Sequence, residues 1–518
     1  MSSIRLFSGA ISGLEAFPVE VEVDSTPGLH FFNIVGLPDK TVDESKDRIA
    51  SAIRNSDFVA PNQKNRRVIV NLAPADIKKE GSSYDLPIAL GYLLTTSQIA
   101  FNTEGKLFFG ELSLDGSLRR INGVLPLAIM ARQSGFRELF LPTENAAEAA
   151  LVSNISIIGA KNIQEVVAHL TGKQPISPTK PQSYQELLDD PVTKIIPHID
   201  INQVRGQENA KRALTIAAAG GHNILLYGPP GTGKSMLAQA LLGIMPDISY
   251  EEALEITKIY SICGLTNGTP IITSRPFRSP HHTTSAVAII GGGSSPKPGE
   301  ISLAHRGVLF LDEMPEFPRN VLESLRQPME NGHVTVSRAS GSARFPSKFM
   351  LVGAMNPCPC GNYGNDAKAC ICSAQTVYKY QKKVSGPLLD RIDIQINVPR
   401  ETYENIKSGP GGASSAQIKS QINSVLAVQQ ARFAGLPIRT NSEMTVKEVE
   451  KHCKLDDSAE ELIKNAMIDH GLSGRGYHKI LKLGRTIADL AGTELIGAQH
   501  IAEAISYRVK SGDETVLG

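Results

Sequence analysis

From Met1 to about Leu170, short apolar runs (PVEVEV, HFFNIVG, RRVIVNLA, GKLFFGEL and ELFLP) alternate with helical patterns such as DESKDRIASAIRNS and LPLAIMARQSG. Short apolar runs bounded by turn formers predict strands, and apolar spacings of three and four predict helices. Residues 1–170 are therefore expected to form an α/β or α+β unit. The stretch TGKQPISPTKPQSYQELLDDP, with four prolines and little apolar content, predicts a linker over 171–195. A second α/β unit, 196–400, opens with the helix GQENAKRALTIAAAGG and the buried strand NILLYG, which runs straight into a glycine-rich turn. Past Pro399 the pattern is wholly helical (AQIKSQINSVLAVQQARFAG, VKEVEKHCKL, SAEELIKNAMIDHG, GYHKILKLGRTIADLAG, GAQHIAEAISYRVK), so 401–518 is expected to be a helical bundle.

Composition changes this picture little. A chain of 518 residues suits about three domains, and 41% hydrophobic with 20% charged residues is that of a folded globular protein. The net charge is +1, from 53 Lys plus Arg against 52 Asp plus Glu, so a nucleic-acid surface would have to come from where charges sit. No run approaches the roughly 18 apolar residues of a membrane span, and the N-terminus lacks a signal-peptide pattern; a soluble, cytoplasmic protein with no membrane partner is expected.

The strongest chemical signal is GPPGTGKS: Gly228, Pro229, Pro230, Gly231, Thr232, Gly233, Lys234 and Ser235 fill a phosphate-loop pattern between a strand and the helical run MLAQALLGIM. Such a loop wraps backbone N–H groups around the phosphates of ATP, with Lys234 as a point charge and Ser235 as a Mg²⁺ ligand. VLFLDE is an apolar run ending in Asp312 and Glu313, which belong at the C-terminal edge of a parallel sheet. Asp312 would complete the Mg²⁺ shell and Glu313 would polarise the attacking water. A third strand, FMLVGAMN, ends in Asn356, whose amide can orient that water. Arg391, in LLDRIDIQI, is either a surface ion-pair partner or a finger reaching a neighbouring subunit's γ-phosphate.

The order GPPGTGKS, VLFLDE, AMN, LLDRID and SGRGYHKILKLGRTIADL resembles that of AAA+ ATPases. More narrowly it resembles the magnesium-chelatase-like branch and, within it, the ComM (YifB) family, through FFNIVGLPDKTVDESKDRIASAI, VNLAPADIKKEGSSYDLPIALG, RPFRSPHHTTS and GEISLAHRGVLFLDE. The resemblance implies that Asn356 is sensor 1, Arg391 the arginine finger and Arg475 the sensor 2 arginine, in the same subunit or the next. It implies a homo-hexameric ring that hydrolyses ATP and works on DNA as a helicase or branch-migration motor in recombination and natural transformation. The rival readings are a magnesium-chelatase-type motor subunit acting on a protein partner and an ATP-dependent protease.

Two stretches of 35 residues carry no carboxylate, where the overall composition predicts about 3.5. Leu265–Gly299 holds Arg275, Arg278, Lys297 and the pair His281–His282; Asn331–Asn365 holds Arg338, Arg344 and Lys348. In the second, HVTVSR and ARFPSKF predict a hairpin, and in related ring ATPases such hairpins line the central channel. These six cations are the candidate contacts for sequence-independent DNA binding. Adjacent histidines rarely converge on one ion, so the pair is expected to have a loop role.

Of six cysteines, Cys358, Cys360, Cys370 and Cys372 fall within fifteen positions as two C-x-C pairs. They can close a tetrahedral Zn²⁺ site of structural kind, the alternatives being free thiols or a redox pair. In the N-terminal unit KKEGSSYDLPIALG resembles the nucleophile segment of Lon-type proteases and implies an S5-like fold, with Ser83 at the nucleophile position. Leu125 stands where that family has its lysine, so an accessory domain without protease activity is expected, with Lys78 and Lys79 as weak DNA contacts.

Overall fold

The computed structural model describes residues 3–189, 199–293, 296–338, 341–364, 368–407, 412–469 and 472–508. Residues 190–195 of the expected linker, the hairpin turn at 339–340, residues 365–367 of the cysteine loop and the C-terminal 509–518 lie outside them.

The chain is a mixed α/β structure. Its first sheet has the order Ile4–Ser12, Glu15–Pro27, Arg66–Ala73, Phe31–Val35, antiparallel except for the last pair. Alternation in PVEVEV buries Val19, Val21 and Val23 and leaves Glu20 and Glu22 on the other face. The helix Asp85–Thr95 covers the valines, and Gly91 lets it approach: a Cβ there would lie 2.5 Å from Val23 Cγ2. Three parallel strands, Lys106–Phe108, Glu138–Pro142 and Ser156–Ala160, form a second sheet, with Phe108 stacked on Phe140 at 4.9 Å.

Part of the expected linker is helical. Tyr184 and Leu187, one helical turn apart, fold Tyr184–Asp189 onto an apolar cluster with Ile248, Ala253, Ile256, Ile271 and Ile272, and the Tyr184 hydroxyl donates to Ile248 O at 2.9 Å.

The central sheet has five parallel strands in the order Phe277–Arg278, Val308–Leu311, Met350–Met355, Ile224–Tyr227, Ile394–Asn397. Helices Glu208–Gly220 and Lys234–Ile244 cover one face. Strands buried on both faces read as unbroken apolar runs, which is why NILLYG, VLFLDE and FMLVGAMN are recognisable. The C-terminal helices Ser415–Arg432, Val446–His452, Asp457–Asp469, Gly474–Ala491 and Ala498–Ser506 share one hydrophobic cluster with those two helices. Their docking is polar as well: buried Asp393 accepts from Lys479 at 2.7 Å and from the backbone N–H of Asn223 at 3.0 Å. The N-terminal unit rests on the helix Tyr250–Cys263, where Gly123 N–H donates to Ser261 O at 2.9 Å and the Tyr250 hydroxyl to Leu151 O at 3.0 Å.

Candidate nucleotide site

Because all five central strands run the same way, their C-terminal ends share one edge. Met350–Met355 lies between Val308–Leu311 and Ile224–Tyr227, which puts Asn356 between the phosphate loop and Asp312. The loop itself needs glycine: Gly231 and Gly233 have φ of +77° and +86°, and a Cβ on Gly228 would lie 2.2 Å from Val398 O. Thr232 closes the turn through its hydroxyl, 3.1 Å from Pro229 O.

Lys234 and Ser235 open the helix that follows. The buried ammonium of Lys234 donates to Gly228 O at 2.8 Å, Pro229 O at 2.7 Å and Asn356 Oδ1 at 3.2 Å. Burial pushes it down to about 8, against the pull of Asp312, so it stays mostly charged at neutral pH. Ser235 Oγ donates to Asp312 Oδ2 at 2.7 Å. The hydroxyl and carboxylate are hard oxygen donors, the set that Mg²⁺ prefers. Glu313 is held with φ +49°, a left-handed conformation uncommon for a non-glycine residue, and its exposed carboxylate lies 3.7 Å from His282 Nδ1. The histidine pair, expected only to shape a loop, thus stands beside the carboxylate edge: the rings of His281 and His282 are 4.1 Å apart.

Arg391 and Arg475 make no hydrogen bond to this loop. Both end on one oxygen of Glu330, at 2.6 Å each, a residue that sequence reasoning passed over. No local pattern signals it, since Glu330 lies far along the chain from both partners.

The four clustered cysteines do converge. The Sγ atoms of Cys358, Cys360, Cys370 and Cys372 all lie within 4.8 Å of one another, with separations of 3.4 Å (358–360), 3.7 Å (358–370) and 3.6 Å (360–370). A tetrahedral site with Zn–S bonds of about 2.3 Å has edges of about 3.8 Å, so the thiols fit Zn²⁺. Backbone N–H groups of Asn362 and Ile371 pull the Cys360 thiol down to about 6. This loop packs on the phosphate loop: a Cβ on Gly361 would lie 2.5 Å from Pro230 Cδ.

The candidate DNA contacts divide. Arg275 is largely buried, with its side chain 13% exposed, donating to Pro246 O at 2.7 Å and Arg306 O at 2.6 Å and lying 3.4 Å from Glu252. Arg278 makes a two-pronged bond to Glu300 at 2.6 and 2.8 Å. Both are thus paired with acids that lie outside the acid-free window. Lys297 is exposed. The hairpin forms from His333–Arg338 and Gly341–Pro346, burying Val334, Val336, Ala343 and Phe345 and exposing Arg344, which lies 3.0 Å from His333 Nδ1. Lys348 pairs with Glu443 at 3.5 Å; Arg338 is placed in the first strand by its backbone.

In the N-terminal unit Leu125 is fully buried, and among the described residues no hydrogen bond joins the Ser83 hydroxyl to a base. Lys79 is also buried, its ammonium on Pro74 O, and Lys78 pairs with Glu80 at 2.6 Å. Among the described residues no helix is long and apolar enough to cross a membrane.

Three family models match the chain. Residues 200–406 match magnesium chelatase, subunit ChlI; residues 21–145 match subunit ChlI of Mg-chelatase; residues 412–508 match the magnesium chelatase subunit ChlI C-terminal model. Competence protein ComM of Haemophilus influenzae is 44% identical over 98% of both chains. YifB of Escherichia coli is 41% identical over 98% of this chain and 97% of its own. The magnesium-chelatase 38 kDa subunit of Rhodobacter capsulatus is 28% identical, over 32% of this chain and 52% of its own.

Proposed function

The chain belongs to the ComM/YifB family of magnesium-chelatase-like AAA+ proteins, and on that premise we propose that it is a hexameric, cytoplasmic ATPase that drives DNA through its ring. The observation that carries the ATPase reading is the convergence of Lys234, Ser235, Asp312 and Asn356 through bonds of 2.7 and 3.2 Å at one sheet edge. Backbone N–H groups of Gly231, Thr232 and Gly233 and the Lys234 ammonium bind the β- and γ-phosphates. Ser235 and Asp312 would hold Mg²⁺, which supplies positive charge to the phosphate oxygens when bound. Glu313 takes the proton of the attacking water as its oxygen bonds to the γ-phosphorus and the bond to the ADP oxygen breaks, while Asn356 orients that water. Arg391 and Arg475 stabilise the charge from an adjacent subunit, so isolated subunits hydrolyse ATP slowly. Cys358, Cys360, Cys370 and Cys372 would hold a structural Zn²⁺ with no part in hydrolysis.

DNA as substrate is supported by the name of the ComM relative and by exposed Arg344 and Lys297, with Arg338 and Lys348 as further channel candidates. Sequence-independent binding of single-stranded or branched DNA, helicase or branch-migration activity, and a role in recombination and natural transformation follow from the same family reading. The matches to ChlI favour a second reading, a chelatase-type motor that remodels a protein partner. ATPase rates with and without single-stranded, duplex and four-way-junction DNA, at two salt concentrations, separate the two. Stimulation that weakens with salt is expected; no stimulation at low salt rejects the DNA motor. Among the described residues the protease alternative has no base bonded to Ser83, and loss of ATP-stimulated proteolysis in Ser83→Ala would revive it.

A further inference from the structure

Glu330 joins three separate parts of the chain. It lies in the last turn of the helix Arg326–Asn331 at the root of the hairpin; Arg391 follows the short helix Gly386–Leu389; Arg475 lies in the first turn of the C-terminal helix Gly474–Ala491. One atom, Glu330 Oε1, accepts from both guanidinium groups at 2.6 Å. Arg391 also donates to Pro387 O at 2.6 Å, and its Nε is buried with no acceptor among the described residues.

Arg391 is largely buried, at 10% exposed, but fold stability gains little from the contact that Arg475 adds. The Glu330 and Arg475 side chains are 41% and 50% exposed, and exposed ion pairs add little to stability. Two guanidinium groups this close repel each other, and the carboxylate removes that repulsion while leaving the triad one net positive charge. Each guanidinium carries five N–H donors, so the pair keeps donors free for a further anion after binding Glu330. Burial opposes ionisation of Glu330, yet the bonds from Arg391 and Arg475 hold its carboxyl below the usual range, so it remains an anion.

We propose that Glu330 is a positioning residue for ATP hydrolysis: it gathers Arg391 and Arg475 into one unit, so that the γ-phosphate of a neighbouring subunit meets both arginines together. This rests on the ring-ATPase reading above. It ties Arg475 to the same phosphate as Arg391 and gives the C-terminal bundle a direct mechanical link to the hairpin root.

The test is steady-state ATPase on the full-length protein, at concentrations where the specific rate no longer rises, for Glu330→Gln, Glu330→Asp, Arg391→Ala and Glu330→Gln combined with Arg391→Ala. Gln keeps the shape and loses the charge; Asp keeps the charge and shortens the reach. Both are expected to lower kcat by about tenfold with KM for ATP changed less than about threefold, because misplacement of a charged group acts in the transition state. Melting temperature and fluorescent-ADP affinity should match the parent, which excludes misfolding. Adding Glu330→Gln to Arg391→Ala should cost less than about twofold more. A parental kcat in Glu330→Gln, or full multiplication of the two single effects, overturns the role of Glu330 and leaves the ring ATPase standing. A parental kcat in Arg391→Ala overturns the arginine assignment itself.

Discussion

Leu265–Gly299 and Asn331–Asn365 are equal in length and equally free of acids, yet they fold to different ends. In the first, Arg275 and Arg278 turn inward onto Glu252 and Glu300. Glu300 is the residue immediately after the window, and Glu252 comes from the helix Tyr250–Cys263. In the second, hairpin alternation buries Val334, Val336 and Phe345 and leaves Arg344 at the surface. A lack of carboxylates along the chain thus says nothing about neutralisation in space; strand alternation, which dictates where a side chain points, says more.

The comparison breaks most visibly on stability. Arg275→Ala strands the Pro246 and Arg306 carbonyls in a largely buried site and removes one partner of Glu252, and is expected to cost about 2–4 kcal/mol. Arg344→Ala should stay within about 0.5 kcal/mol. Denaturant titration of both variants measures this; equal losses would erase the distinction between a buried and a surface stretch.

What could be read from the sequence follows the range of the interactions. The phosphate loop is contiguous, and Asp312 and Asn356 end apolar strands, so parallel pairing alone brings them to Lys234. The four cysteines are close enough in sequence for their meeting to be foreseen. Glu330, His282 and the burial of Arg275 depend on segments that meet only in the folded chain. The strand Ile4–Ser12 escaped notice because its buried positions include Ser8 and Gly9; a Cβ on Gly9 would lie 2.7 Å from Met130, so its glycine serves close packing rather than a turn. Tyr184–Asp189 was hidden by the surrounding prolines.

The two stretches should also respond differently to metal removal. Asn331–Asn365 runs into Cys358 and Cys360, whose loop touches Pro230, whereas Leu265–Gly299 is held by ion pairs. The purified protein is expected to hold about one zinc per chain, and stripping it should weaken ATP binding by about tenfold with the Arg275 region intact by hydrogen exchange. Less than about half an equivalent of zinc would reject the tetrathiolate site.

A finer test concerns DNA. Arg344→Ala should reduce DNA stimulation of the ATPase a few-fold and lower the slope of log affinity against log salt by about one. Arg278→Ala, in a folded sample, should leave that slope unchanged. A slope change in Arg278→Ala alone would reverse the assignment of the two stretches.

The smallest expected effect is a pH dependence confined to the supports of the first stretch. Arg275 is bonded to the carbonyl of Arg306, and Arg306 is held in turn by Glu255 at 2.9 Å, which also lies 3.0 Å from His305 Nε2. Burial works against ionisation of Glu255, but the bonds from His305 and Arg306 prevail and hold its carboxyl down at about 2, against an ordinary 4.5. A carboxyl depressed on folding stabilises the fold above its unfolded pKa, and that contribution is lost as pH falls from about 4.5 towards about 2. Glu255 is 42% exposed, so solvent screening limits the effect to about 1 kcal/mol or less. Denaturation at pH 6 and pH 3 should therefore show a smaller acid-induced loss in Glu255→Gln than in the parent. The hairpin, which has no buried carboxylate among its described residues, should give Arg344→Ala the parental pH profile. An unchanged acid loss in Glu255→Gln would mean that the ion pairs around Arg275 are not what holds the first stretch in place.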